Sequence, residues 1–260
     1  MLPVEQLAGA AGAGLMGGML SGFFGVGGNF ILVPLLGIAL SLTQQQAQGL
    51  TLAALLPPLG LPAVWQYRRS GIPLLWPIVG ACILGFLPAI PIGSLVANYL
   101  PASALRGTFS VLLVLMAVRV WRTPKTKVDR PHLHEPPAGY LPKALLAGAC
   151  AGFASGLLGI GGAIVLIPMI TRQLGLSQKQ AQVTSLAMLL PPIALPGVFV
   201  YANEASLPWI ALLPVMAGFV LGAFLGAKLN TIVSPERLTR GFAVLLLISA
   251  AVLFTSALRT

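Results

Sequence analysis

Two short glycine clusters are the residues best placed to do chemistry. Gly25-Val26-Gly27-Gly28-Asn29 and Gly159-Ile160-Gly161-Gly162-Ala163 each interrupt a long apolar segment. A helix that restarts after such a break leaves backbone N–H groups unpaired and carries a partial positive charge at its first turn. Two such starts, at Asn29 and at Ala163, converging from opposite sides would bind an anion without a buried Lys or Arg. Gly25, Gly27, Gly28, Asn29, Gly159, Gly161 and Gly162 are therefore candidate substrate-binding residues. A second repeated cluster follows each break. Gln48 and Thr51, then Gln182, Thr184 and Ser185, fall on the first turns of the next segments. Their amides and hydroxyls suit an oxyanion. Capping and bonding between neighbouring helices would use the same groups. Pro57-Pro58 and Pro191-Pro192 sit mid-way along those segments, where they should kink or unwind the helix and free carbonyls. They are candidate hinges.

Other chemistry lacks its parts. Glu5, Asp129, Glu135, Glu204 and Glu236 all fall in loops or at segment ends, and no Asp, Glu or His lies mid-span. That disfavours a carboxylate proton relay. No acid pair, His pair or activated nucleophile lies at depth, so the chain does not read as an enzyme. It contains no phosphate-binding loop, and no cofactor or metal site is expected. His132 and His134 lie in a Pro-rich polar stretch without clustered partners, which reads as a solvated linker rather than a metal or pH sensor.

The elements that must position these residues are membrane helices. The chain has 260 residues, 57% of them apolar and only 8% charged, against about 25% charged in average soluble domains. Too few polar side chains exist to cover a soluble globule. The net charge of +10 would suggest nucleic acid in a soluble protein. Here the basic residues fall between apolar segments and read as topology signals toward the cytoplasmic leaflet. Cys82 and Cys150 lie in apolar segments and suggest no disulfide framework. Residues 1–6 carry no basic run, so a cleaved signal peptide is not expected. Nothing alternates as a β-barrel strand would. Apolar segments fall roughly at 7–39, 49–66, 72–97, 103–120, 144–170, 182–201, 207–227 and 241–258. The expectation is an all-α polytopic membrane protein with about eight hydrophobic segments.

The chain repeats itself without a gap. Ser21-Gly22 meets Ser155-Gly156, Pro34 meets Pro168, Gln48 meets Gln182, Pro57-Pro58 meets Pro191-Pro192, and Tyr67 meets Tyr201. About half the positions from Ser21 to Tyr67 are identical in the second copy, including glycines, prolines and glutamines that chance apolar similarity would not keep in register. The organisation is a first repeat over 1–121, a basic cytoplasmic linker over 122–143 and a second repeat over 144–260. Duplicated halves are a transporter signature.

Charge decides between parallel and inverted halves. If every segment crosses once, the Lys and Arg split poorly between the two sides. If segments 1 and 5 enter and return on one side, only Arg106 and Arg259 remain outside. That fits the positive-inside rule far better. The expected architecture is two inverted repeats, each a glycine-broken re-entrant or long helical hairpin plus three transmembrane helices. The Gly14/Gly18/Gly22, Gly148/Gly152/Gly156 and Gly218/Gly222/Gly226 series each lie on one helix face and read as packing surfaces. They also make a homodimer an open option.

Gly25-Val26-Gly27-Gly28-Asn29-Phe30-Ile31-Leu32-Val33-Pro34 resembles the glycine-rich motif of the TauE/SafE sulfite-exporter family. Gly159 to Pro168 resembles its second copy, and Ala181-Gln182-Val183-Thr184-Ser185-Leu186 resembles the family's Thr-Ser-Leu segment. The first half departs from it, with Leu50-Thr51-Leu52 and with Asn29 where the second half has Ala163. The resemblance implies export of sulfite or an organosulfonate such as sulfoacetate across a bacterial inner membrane. From the residues themselves, the expectation is a secondary carrier for a small anion working by alternating access within a lipid bilayer. Nucleic acid is not an expected partner. An anion channel, a carrier of another small anion, and a nontransporting receptor or scaffold are the rival readings.

Overall fold

A computed structural model describes residues 3–24, 29–56, 61–122, 131–159 and 161–230, with 241, 244, 246–252 and 254–255 near the end. Every regular element among these residues is helical. In chain order they are α1 (Val4–Phe24), α2 (Asn29–Leu40), α3 (Gln44–Ala54), α4 (Leu61–Arg69), α5 (Trp76–Tyr99), α6 (Ala102–Arg122), α7 (Tyr140–Leu158), α8 (Ala163–Gln173), α9 (Gln178–Met188), α10 (Leu195–Ala205) and α11 (Leu212–Asn230). A short 3-10 turn over Trp209–Ala211 leads into α11. Trp76–Tyr99, Tyr140–Leu158 and Trp209–Gly226 are long and apolar enough to cross a membrane. Large apolar side chains such as Leu84, Leu213, Leu221 and Phe224 face outward, which only a lipid solvent favours in such number. The chain is a multi-pass membrane protein.

The sequence repeat reappears as structure. α2, α3 and α4 begin at Asn29, Gln44 and Leu61; α8, α9 and α10 begin at Ala163, Gln178 and Leu195, each pair at the same offset. The end of the second helix turns through a left-handed residue in both halves, Ser41 in one and Gly175 in the other. α3 and α9 then start on matching caps. The Thr43 hydroxyl accepts from the Gln46 N–H at 3.2 Å, and the Gln46 side chain accepts from the Thr43 N–H at 3.1 Å, a closed capping box. The Ser177 hydroxyl likewise accepts from the Gln180 N–H at 3.2 Å. Gln180, however, spends its side chain elsewhere. It accepts from the Leu133 N–H at 2.9 Å and donates to the Leu133 carbonyl at 2.7 Å. His132 Nδ1 lies 2.9 Å from the Ser177 hydroxyl. The linker end that reads as solvated in sequence is thus held on the first turn of α9, because Gln180 offers both a donor and an acceptor to the backbone of one residue, Leu133.

Contacts fix the helix directions. Gly9 of α1 lies against Ala39 of α2, and Gly17 against Leu32, so α1 and α2 run antiparallel. The Gln45 amide donates to the Leu100 carbonyl and the Gln46 amide to the Ser206 carbonyl, both at 3.4 Å. The start of α3 therefore shares one end of the bundle with the ends of α5 and α10. The Gln180 amide reaches the Pro73 carbonyl, also at 3.4 Å, so the start of α9 shares the other end with the α4–α5 turn. α3–α4 and α9–α10 run in opposite directions. Basic residues divide with them. Arg68 and Arg69 close α4, Arg172 lies in the last turn of α8, and Lys143 and Lys179 lie in the first turns of α7 and α9. All these belong to the second end. The first end has Arg106 in the first turns of α6 and Glu204 in the last of α10. Arg69 stacks on Trp65, 3.6 Å from the ring centre.

The two halves interlock through glycine. α1 runs parallel to α11, and α5 parallel to α7. Gly14 and Gly18 lie against the backbone of Val215 and Phe219, while Gly218 and Gly222 lie against Ala11, Leu15 and Met19. In the matching pair, Gly148, Gly152 and Gly156 lie against Cys82, Phe86 and Ile90, and Gly85 and Gly93 against Leu145 and Phe153. Each first helix therefore packs on the fifth helix of the other half. In lipid, such contact replaces the hydrophobic drive that water supplies elsewhere. These glycine faces are used inside the chain, so they offer no reason for a second copy to bind.

A side chain at these glycines would push a helix pair apart. Gly14→Val and Gly148→Val should each cost about 1–3 kcal/mol or more. Gly80, with nothing within 4 Å of an added Cβ, is the control. Gly80→Ala should be neutral or stabilising by up to about 1 kcal/mol. Thermal unfolding in detergent checks the set, and equal effects at all three positions would refute the close-packing account.

Candidate functional site

The break between α7 and α8 supplies the site. α7 ends with Gly159 left-handed at φ 71°, and its N–H donates to the Ser155 carbonyl at 2.8 Å. Gly161 and Gly162 are also left-handed, at φ 73° and 71°. Three left-handed glycines turn the chain without the clash a Cβ would bring. α8 then restarts at Ala163 with Gly162 as its N-cap and no side-chain cap. The Leu166 N–H donates to the Gly162 carbonyl at 2.9 Å, and the Ala163 N–H to the Gly161 carbonyl at 2.9 Å. The start of α8 thus presents a helix N-terminus to whatever lies beside the break.

What lies beside it is Gln48 of α3. A Cβ on Gly159 would fall 2.8 Å from Gln48 Cα and Cβ and 3.0 Å from its Cγ. Gln48 is wholly buried. One end of its side-chain amide lies 2.9 Å from the hydroxyl of Tyr201, itself wholly buried on α10. The same hydroxyl lies 2.6 Å from the Gly156 carbonyl. That carbonyl lies in the last turn of α7, which stops at Leu158. The other end of the Gln48 amide has no partner among the described residues, and neither has the wholly buried Ser155 hydroxyl. Unsatisfied buried groups of this kind cost about 1–3 kcal/mol each. Two of them beside a broken helix mark a place that a polar ligand would satisfy.

The same pairing recurs across the repeat. Tyr67 of α4 donates to the Gln182 Oε1 of α9 at 3.3 Å. Each glutamine therefore pairs with the tyrosine of the opposite half. The two pairs are not equal: Gln48–Tyr201 is shorter and buried, Tyr67–Gln182 longer and half-buried. One helical turn outward from Gln48 and Tyr201, a cavity of about 440 Å³ opens at the first end of the bundle. Thr43, Gln45, Gln46, Asn98, Glu204 and Ser206 line it.

The remaining candidates fall as follows. Gly25, Gly27, Gly28, Pro57 and Pro58 lie outside the described residues; Asn29 is the first residue of α2. Thr51 is buried, and its hydroxyl donates to the Ala47 carbonyl of its own helix at 2.8 Å. Thr184 and Ser185 are buried on one turn of α9, two and three residues beyond Gln182. Pro191 and Pro192 are exposed in the gap between α9 and α10, where the Ile193 N–H donates to the Pro191 carbonyl at 2.7 Å. Tyr67, Tyr201 and Ser155 are additions. Both tyrosines are visible as repeated residues, but their partners sit across the halves. Ser155 lies beside a glycine packing face, and its hydroxyl carries no signal in sequence.

Gly159 combines a left-handed backbone with contact to Gln48, whereas Gly139 is left-handed at φ 66° with nothing within 4 Å of an added Cβ. Gly139→Ala should cost about 1–2 kcal/mol from backbone strain alone. Gly159→Ala should cost clearly more, because the Cβ also displaces Gln48. Unfolding midpoints in detergent compare them, and equal losses would remove the Gly159–Gln48 contact from the account.

Comparison with known proteins agrees with a transport role. A "Probable membrane transporter protein YdhB" of Bacillus subtilis is 25% identical over 216 residues, covering 83% of this chain and 86% of its own. A "Probable membrane transporter protein" of Haemophilus influenzae is 26% identical over 93% of this chain and 95% of its own. The Sinorhizobium fredii protein y4hK, also named a probable membrane transporter, is 33% identical over 56% of this chain and 59% of its own. No solved structure matches the chain. The family model for the sulfite exporter TauE/SafE matches residues 10–253, and with its glycine-broken hairpin and membrane helices in view, the chain belongs to that family.

Proposed function

We propose that the protein is a secondary carrier of a small oxyanion across a bacterial inner membrane, a transporter rather than an enzyme. The observation that carries this reading is the pair of buried polar groups, on Gln48 and Ser155, without partners among the described residues at the α7–α8 break, where Gln48 lies against Gly159. A helix N-terminus favours negative charge by up to about 2 kcal/mol in partly buried geometry. Further hydrogen bonds must offset the anion's dehydration. The family name favours sulfite or an organosulfonate such as sulfoacetate as the cargo.

The transport cycle proposed is alternating access by two inverted repeats. Opposite directions of α3–α4 and α9–α10, with crosswise pairing of α1 with α11 and α5 with α7, favour inversion. Unequal closure of the two Tyr–Gln pairs suits one state of such a cycle, with the interruptions near Pro57-Pro58 and Pro191-Pro192 as hinges. Gathering of Arg68, Arg69, Lys143, Arg172 and Lys179 at one end favours that end as cytoplasmic. Glu204 then faces outward.

Purified protein in liposomes should take up sulfite saturably and show counterflow. Nonsaturating flux with single-channel currents would favour the rival channel, and no flux from inserted, folded protein would refute transport of sulfite. Glu204→Cys should react with an impermeant thiol reagent added outside intact cells. Labelling only after the cytoplasm is opened would overturn the orientation.

A further inference from the structure

The cluster of Tyr201, Gly156 and Gln48 settles which end of the Gln48 amide is free. A phenol carries one hydrogen, yet the Tyr201 oxygen has two close neighbours, the Gly156 carbonyl oxygen at 2.6 Å and the Gln48 amide at 2.9 Å. A carbonyl oxygen only accepts. Two lone pairs facing each other at 2.6 Å would repel, so the Tyr201 hydrogen must point at Gly156. The Ser94 hydroxyl is 3.5 Å from the Gly156 carbonyl and bonds the Ile90 carbonyl at 3.0 Å instead. The Tyr201 oxygen is then left as an acceptor toward Gln48. The amide end beside it must be the NH₂ group. Oxygen and nitrogen of an amide are told apart by such partners and not by shape. As placed, Oε1 faces Tyr201 and Nε2 is the unpartnered end; the hydrogen count exchanges the two, so the unpartnered end becomes the carbonyl oxygen, a wholly buried acceptor.

We propose that this fixed acceptor makes the site select an oxyanion that still carries a proton. The proposal rests on the anion-site reading above and names the ionic form that the site takes. The start of α8 and the Ser155 hydroxyl donate to the anion's bare oxygens. The Gln48 carbonyl oxygen accepts from its O–H. A fully deprotonated dianion offers that oxygen only lone pairs and leaves it unsatisfied, a mismatch that polar sites punish strongly. Tyr201 acts as a positioning residue: it holds the amide in one orientation and has no part in binding the anion directly.

The test uses the full chain in liposomes, with protein-free liposomes as blank. Sulfite uptake is measured at fixed total sulfite across its second ionisation, with sulfate as competitor. Wild-type initial uptake at subsaturating sulfite should follow the singly protonated form, falling about tenfold per pH unit above that ionisation. An about tenfold excess of sulfate, by the same selection, should compete weakly. Tyr201→Phe frees the amide to turn over, so its pH profile should flatten and sulfate should begin to compete. A purely structural role for Tyr201 would lower uptake equally at every pH. The proposal is overturned if wild-type uptake is unchanged or rises over that range, if sulfate competes as well as sulfite, or if uptake requires sodium, which would make the free oxygen a cation ligand. In those cases sulfite is still carried and the transporter reading survives. Absence of saturable uptake at every pH overturns both. The wild-type profile decides the matter even if Tyr201→Phe fails to insert.

Discussion

Backbone groups inside a bilayer have no water to bond, and the structure depends on how that constraint is met. The α7–α8 break leaves carbonyls at the end of one helix and N–H groups at the start of the next. Protein must surround such a break or a ligand must fill it. Here the end of α7 is closed by the Gly159 N–H on Ser155 and by the Tyr201 hydroxyl near Gly156. Close glycine contacts between α5 and α7 keep lipid away from the same region. At the start of α8 the Ala163 N–H is taken by the Gly161 carbonyl and those of Val165 and Leu166 by the Gly162 carbonyl, and the Gln48 and Ser155 side chains at the break lack partners among the described residues. The interruption that the fold must enclose is also where a polar ligand would find unpartnered side-chain groups.

The glycine pairs tie the two halves of the chain together. α1 with α11 and α5 with α7 bring helices of opposite halves into backbone contact, where dispersion and close approach replace the hydrophobic effect. The Tyr–Gln pairs then cross between the halves at the next layer inward. Gln48 belongs to the first half and Tyr201 to the second, while Gln182 and Tyr67 reverse the roles.

Much of this is legible in sequence, at the level that periodicity and duplication control. The offset between Gly25 and Gly159 already places the starts of α2 and α8, α3 and α9, and α4 and α10. The Gly14/Gly18 and Gly148/Gly152 faces read as packing surfaces and are packing surfaces. Their partners are not readable, because a small residue specifies closeness but not the neighbour. The same limit hid Tyr201 as the partner of Gln48, which is far away along the chain. Thr51 shows the opposite effect: its type suits a ligand, but a helical Thr can bond the carbonyl one turn back, and Thr51 does. His132 reads as solvated because a Pro-rich polar stretch predicts exposure. Its bond to Ser177 depends on Gln180 holding Leu133, which only the folded chain brings together.

The most direct test of an anion at the α8 start is to see one there. Selenite is the heavier chemical relative of sulfite, and its selenium can be located by anomalous scattering in crystals of the full chain. An anion held at the break places a selenium peak beside the Ile164 N–H, within hydrogen-bonding reach of the Gln48 and Ser155 side chains. A peak confined to the vestibule around Glu204, or to the basic end near Arg68 and Lys179, would contradict it.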